Sequence, residues 1–190
     1  DILPFRFPTQ TSCHIRNTQE QQRQGTILAL YEWKYPWFIH SLLRNNLIMD
    51  SARLQAEESL LSRKFPPNAF RFFHKDTPEC AYLRIGAKTN QGNVYTLHMD
   101  LSEFPIQQPK VFVTRMLKTK FGKEMDGPSA SMHTLTSENG WTRICHYGCN
   151  SWTPNVSLYK VYVKCRLWLE MYETHLRTGK AIEYYLNHQS

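Results

Sequence analysis

No apolar run in this chain approaches the ~18 residues that a membrane-spanning helix needs, so the sequence predicts no membrane partner. The stretch after Asp1 shows no signal-peptide pattern either. Cysteine is scarce and irregular. Cys13, Cys80, Cys145, Cys149 and Cys165 make an odd number without regular spacing, which argues against a secreted disulfide framework and predicts a reducing, cytoplasmic setting. Acidic residues are outnumbered, 16 against 23 Lys and Arg, for a net charge of +7. The basic residues are scattered rather than massed in one block, however, which points away from nucleic acid and leaves a basic face for an acidic protein partner as the other reading.

What is present is a globular composition, 41% hydrophobic and 13% aromatic over 190 residues, enough for one well-packed domain with an appendage. Residues 1–49 read as an N-terminal extension and 50–190 as the domain. The extension opens with a polar arm to about Gly25. It then packs Tyr31, Trp33, Tyr35, Trp37, Phe38, Ile39, Leu42 and Leu43 into a short stretch, which either covers the domain itself or offers a docking surface.

The domain begins with an N-cap pair, Asp50-Ser51, and a helical spacing of Leu54, Ala56, Leu60 and Leu61 that Pro66-Pro67 stops. Strand-like runs follow at Phe70 to His74, Ala81 to Lys88, Val94 to Leu101 and Val111 to Leu117. The Gly and Asn residues of 89–93 suit a hairpin turn between the second and third. A long C-terminal helix is expected from Thr153 as N-cap and Pro154 at its first position to Gly179. Its apolar face would be Leu158, Val161, Tyr162, Cys165, Trp168, Leu169, Tyr172 and Leu176. Cys165 falls on that face and reads as a small buried hydrophobe.

Between strands and helix lies the stretch from Met132 to Tyr159, read as a long irregular segment pinned at both ends. Cys145 closes the run Gly140-Trp141-Thr142-Arg143-Ile144-Cys145, and Trp152-Thr153-Pro154 follows seven residues later. A thiolate is both nucleophile and leaving group, so such a cysteine can accept an acyl group as a thioester and pass it on. Asn139 or Asn150 could supply a side-chain amide to a developing oxyanion, which needs a donor about 3 Å away; both also suit plain turns. Cys145-His146-x-x-Cys149, with His133 as a further ligand, admits a zinc reading, but a second cysteine pair is lacking. A protease-like pairing of Cys145 with His146, His133 or His98 is a further alternative.

Upstream, Phe104-Pro105-Ile106-Gln107-Gln108-Pro109-Lys110-Val111 places two prolines four apart at the mouth of a strand. With the Gly140 to Cys145 run and Trp152-Thr153-Pro154, it resembles the catalytic half of a ubiquitin-conjugating enzyme over residues 50 to 188. That family carries Tyr-Pro-x-x-Pro-Pro-x-Val, then His-Pro-Asn, then Gly-x-Ile-Cys, then Trp-Ser-Pro before a helix. The resemblance implies an α/β (α+β) fold: an N-terminal helix, a four-stranded antiparallel meander, an active-site loop and C-terminal helices. It gives Cys145 the role of the cysteine that takes the C-terminus of a ubiquitin-like modifier and gives it to an amine, without a cofactor. Here three residues rather than one separate Gly140 from Ile144. His133-Thr134-Leu135 stands where the family has His-Pro-Asn, leaving His133 and Asn150 as the candidate supporting residues, and residues 118–131 form an insertion beside the site.

The ending, Trp168-Leu169-Glu170-Met171-Tyr172-Glu173 with Thr178-Gly179 and His188, is similar to bacterial members of the family. Those are encoded with a ThiF-like activating enzyme, a ubiquitin-like modifier and often a JAB-type peptidase, in systems including antiphage defence. A non-catalytic variant that binds or scaffolds, and an unrelated cysteine hydrolase, are the competing expectations.

Overall fold

The computed structural model describes residues 51–148 and 151–186; the expected extension, with its aromatic run from Tyr31 to Leu43, lies outside the described residues. Helix α1 spans Ser51–Lys64 and buries Leu54, Glu57 and Leu61, whose spacings of three and four put them on one side of the helix. The Phe65 N–H still closes on the Leu61 carbonyl at 2.9 Å. Pro66, which has no N–H to give, then ends the helical pattern.

Strands β1 (Phe70–Phe73), β2 (Tyr82–Lys88), β3 (Val94–Asp100) and β4 (Lys110–Val113) each pair antiparallel with the next. The first three expected strand segments are therefore strands, while the fourth, expected from Val111 to Leu117, is a strand only as far as Val113; the turn at 89–93 takes the expected place, with Gly92 at φ 88°. Two further strands, β5 (Thr134–Glu138) and β6 (Trp141–Ile144), form a hairpin. The hairpin joins through β6 to β4, so the sheet runs β1-β2-β3-β4-β6-β5. The chain is thus a mixed α/β protein with a six-stranded antiparallel sheet.

Alternation along the strands divides the sheet into two faces. Leu83, Ile85, Ala87, Leu97, Met99, Val111, Val113 and Ile144 share one core with Val161, Cys165, Trp168, Leu169 and Tyr172 of helix α2 (Leu158–Thr178). The other face carries a cross-strand row, Arg71, Arg84, His98, Phe112 and Arg143. Rings gather around it: Tyr82 lies 4.6 Å and Trp141 5.2 Å from His98. The Arg84 guanidinium sits 5.5 Å from Tyr82 and 5.9 Å from both Phe73 and Trp141, within cation–π range.

Helix α2 starts later than Thr153-Pro154 suggests. Its N-cap is Ser157, whose hydroxyl accepts from the Lys160 N–H at 3.3 Å. The Leu158 N–H is taken by the buried Glu57 carboxylate at 2.9 Å. These two acceptors satisfy the first turn's free donors, so the chain becomes helical here and not four residues earlier. Gly179, in the left-handed region at φ 81°, ends the helix as expected. Leu176, expected on the buried face, is 38% exposed. A short helix α3 (Ile182–Leu186) buries Ile182 and hydrogen-bonds back through the Glu183 N–H to the Ser131 carbonyl.

The segment 118–131 after β4 is tied down. Its first part is a narrow tongue in which Lys118 bridges Glu124 and the Met125 N–H donates to the Leu117 carbonyl. Tyr172 donates its hydroxyl to the Lys118 carbonyl at 2.9 Å. The buried His175 ring, bonded to the Lys180 carbonyl through Nδ1, accepts the Lys120 N–H at its Nε2.

Candidate active site

The β5–β6 hairpin turns through Asn139 and Gly140, at φ 55° and 72°, between the paired Glu138 and Trp141. Positive φ at both central residues is what a tight hairpin turn demands, and Asn-Gly is the dipeptide that supplies it most readily. Asn139 is thereby removed from the thiol. Four residues of β6 separate it from Cys145, a distance of roughly 15 Å at the rise of an extended strand. This corrects the expectation that its amide could serve an oxyanion there.

At the open end of the same hairpin, Thr134 and Ile144 are partners. One step beyond them, the Cys145 N–H donates to the His133 carbonyl at 2.9 Å. The two candidates named from the sequence are thus neighbours, joined through their backbones. His133 takes a left-handed conformation, φ 49°, just before β5. Cys145 is half-buried. Asn150 and Cys149 lie outside the described residues.

The residue after the cysteine is a buried, neutral histidine. His146 is lowered from 6.5 to about 4, first by burial and further by the charges of Lys164 and Arg143, with the Ile144 carbonyl opposing. Its Nδ1 is 3.4 Å from that carbonyl. A ring held neutral near pH 7 provides no imidazolium to stabilise a neighbouring thiolate.

The segment leading from Cys145 to α2 is fastened at several points. The Tyr147 ring lies under the Lys164 ammonium, 3.7 Å from the centroid, and meets Trp152 edge-on at 5.4 Å. Trp152 is half-buried and donates its indole N–H to the Pro105 carbonyl at 3.0 Å, while Phe104 packs against its ring at 6.1 Å. The bond between Phe104 and Pro105 is cis. From α1, the Arg53 guanidinium stacks over Phe104 at 5.0 Å and donates to the carbonyls of Pro154 and Val156 at 2.7 and 2.8 Å. The proline-bounded stretch before β4 and the tryptophan after the cysteine, linked in the sequence reading only by their order, are therefore in direct contact.

Arg53, Tyr147 and Lys164 were not singled out from the sequence. Nothing local marks Arg53 as a clamp on a loop about a hundred positions away, because its ligands are main-chain carbonyls that any residue would supply.

Cys165 is fully buried, which pushes its thiol well above the ordinary range, as its place on the apolar face of α2 suggested. Cys80, on the 3-10 turn Pro78–Cys80 ahead of β2, is disulfide-bonded, which the irregular spacing of the cysteines did not suggest. Among the described residues no three His, Cys, Asp or Glu side chains gather as a metal site would require, and no helix is long and apolar enough to cross a membrane. Compared with protein-family models, curated proteins and solved structures, the chain gives no match.

Proposed function

We propose that this chain is a conjugating enzyme for a ubiquitin-like protein, with Cys145 as the thioester-forming residue. In this reading α1 is the N-terminal helix, β1 to β4 are the meander of the ubiquitin-conjugating fold, and the hairpin β5–β6 is an elaboration that delivers the cysteine. The observation that carries the reading is the join between its two most specific sequence features. Trp152, after the cysteine, hydrogen-bonds to Pro105, before β4, so the segment bearing Cys145 is fixed to the sheet on both sides.

The chemistry is two acyl transfers. The Cys145 thiolate attacks the thioester carbonyl of the modifier carried by a ThiF-like activating enzyme. A new S–C bond forms, the old one breaks, and the activating enzyme's sulfur leaves as thiolate. An acceptor amine then attacks the Cys145 thioester. The N–C bond forms, Cys145 departs as thiolate, and the amine's proton passes to base. His133 fixes the cysteine through its carbonyl, and Asn150 is the candidate donor to the oxyanion. The partners are those of a bacterial antiphage-type system, namely the modifier, the activating enzyme and a JAB-type peptidase; the Cys80 disulfide opposes the reducing, cytoplasmic setting expected from the sequence.

With the activating enzyme, ATP and modifier, the wild type should form an adduct that thiol reduction releases. Cys145→Ala should abolish it and Cys149→Ala should keep most of it. Cys145→Ser or Cys145→Lys should leave an ester or amide that resists reduction. A reducible adduct on Cys145→Ala would overturn the site. The replacement of His-Pro-Asn by His133-Thr134-Leu135 favours a second reading, a non-catalytic binding variant. That reading prevails if wild type binds the modifier and never forms the adduct.

A further inference from the structure

The second face of the sheet is buried on the side away from the described helices. Phe112 is 4% and Arg84 6% exposed, and they stand on either side of His98 in the cross-strand row. Helices α1, α2 and α3 contribute Leu61, Leu169 and Ile182 to the core on the opposite face, and Phe112 stands apart from that core. Rings run across the second face without a break. Phe73 stacks on Tyr82 at 4.7 Å, Tyr82 lies against His98, and His98 and Phe112 both meet Trp141, at 5.2 and 6.4 Å. Three nitrogens among them, Arg84 Nε, His98 Nδ1 and Arg143 Nε, are buried without a hydrogen-bond partner among the described residues. Buried polar groups are nearly always satisfied, and a sheet face this rich in rings is covered by a further layer in a stable domain.

The chain itself supplies a segment of matching character. Residues 31–43, outside the described residues, carry Tyr31, Trp33, Tyr35, Trp37 and Phe38 with one carboxylate, Glu32. Guanidinium groups stack on the faces of Trp and Tyr, and main-chain carbonyls accept from an arginine Nε. The tether is long enough. Six residues, 44–49, and Asp50 separate Leu43 from Ser51 at the start of α1, and such a stretch reaches about 25 Å when extended. Ser51 is at the end of the sheet from which the second face is entered. Arg53, in the first turn of α1, stacks over Phe104, and Leu101, three residues before Phe104, donates its N–H to the carbonyl of Ala81, the residue before Tyr82. Packed layers lie about 10 Å apart, so the path from the α1 layer round this end to a layer beyond the sheet is roughly 20 Å.

We infer that residues 31–43 pack on the second face of the sheet as an intramolecular cover, with Trp33 and Trp37 against the row of Arg84, His98 and Phe112. An acidic protein fits this face less well. Arg143 faces Glu138 at 3.8 Å, Lys110 faces Asp100 at 4.0 Å, and the Arg84 guanidinium lies among three rings, which leaves little unopposed charge to recognise. The inference does not depend on the conjugation reading.

The test uses the full chain with residues 44–49 replaced by the recognition sequence of a site-specific protease, cut in reducing buffer so that no disulfide joins the pieces. At micromolar concentration the two pieces are expected to co-elute in gel filtration at the mass of one chain. Trp33→Ser together with Trp37→Ser should weaken their association about a hundredfold, roughly tenfold for each ring. Hydroxyl-radical footprinting of the uncut chain places the contact. Tyr82 and Trp141 should be protected in the wild type and lose that protection in the double variant, while Tyr162, in the core, stays protected in both and shows that the domain is folded. Pieces that separate at once, or an oxidation pattern that the two substitutions leave unchanged, overturn the proposal. Co-elution without protection of Tyr82 and Trp141 overturns it as well, since the segment would then sit elsewhere. So does a chain that elutes as a dimer and exposes Tyr82 and Trp141 on dilution, because a second copy would then be the cover.

Discussion

The buried carboxylate of Glu57 on α1 accepts a hydrogen bond from the backbone N–H of Leu158, the first residue of α2, at 2.9 Å. Its other oxygen is held by Arg53 Nε at 2.8 Å, and Arg53 in turn clamps the carbonyls of Pro154 and Val156. One helix thus caps another and steadies the segment that runs from Cys145. Glu57→Ala should leave the Leu158 N–H without its acceptor inside the protein, at a cost of about 1–3 kcal/mol. Glu57→Gln keeps an accepting oxygen and should cost less. Urea denaturation of the two variants checks the order, and equal midpoints for Ala, Gln and wild type would show that the cap contributes nothing.

Trp168 reports on the packing of α2 against the sheet. It is 3% exposed, stacks on Tyr172 with centroids 5.6 Å apart, and donates its indole N–H to the Met132 carbonyl at 3.1 Å. That hydrogen bond fixes the chain just before His133, whose carbonyl holds Cys145. Trp168→Ala should cost ~3–5 kcal/mol, and Trp168→Phe, which keeps most of the ring and deletes the donor, should cost less. A melting temperature unchanged in Trp168→Ala would contradict this core.

Two histidines make stability depend on acid. His98, in the aromatic row on the sheet's second face, is lowered from 6.5 to about 4 by burial and by the Arg84 charge. His146 is lowered to about 4 as well. Both rings are neutral in the folded chain at a pH where the unfolded chain already takes up protons. The unfolded state therefore binds more protons between about pH 6.5 and 4, and stability falls as pH falls through that window. Each shift corresponds to at most on the order of 3 kcal/mol. Urea midpoints measured down this pH range for wild type, His98→Gln and His146→Gln check the point, since each substitution should flatten the slope. Parallel slopes in all three proteins would refute it.

Much of the architecture was legible because it rests on periodicity. The run from Leu158 to Tyr172 repeats at three and four and is the buried face of α2; the Ala81 to Lys88 and Val94 to Leu101 segments alternate and are β2 and β3. The start of α2 was not legible, since the acceptor that fixes it, Glu57, comes from another helix. The hairpin β5–β6 could have been found. Asn139-Gly140 between Thr134-Leu135-Thr136-Ser137-Glu138 and Trp141-Thr142-Arg143-Ile144 is a strong turn signal, but those strands are short and polar and show no apolar alternation. At the site, the nearness of His133 and Cys145 follows from that hairpin's register. The clamp by Arg53 and the burial that neutralises His146 depend on tertiary packing that no local pattern encodes.

The Trp152 indole should govern how well Cys145 is presented. Its N–H to the Pro105 carbonyl ties the segment after the cysteine to the entrance of β4, and its ring is gripped by Tyr147 and Phe104. Trp152→Phe preserves a ring between those neighbours and deletes only the donor. If the proposed chemistry holds, this variant should load modifier about fivefold more slowly than wild type, the factor that one net hydrogen bond of about 1 kcal/mol represents when it is lost from the reactive arrangement. Trp152→Ala, which also removes the packing, should be slower still. Lys164→Met would take the ammonium away from Tyr147 without touching the indole and should have a smaller effect than Trp152→Ala. Single-turnover loading, measured beside alkylation of the Cys145 thiol and the thermal midpoint, distinguishes positioning from unfolding. Slow loading with a preserved midpoint supports a positioning role. Wild-type loading by Trp152→Ala would show that the tether to Pro105 has no part in presenting the thiol.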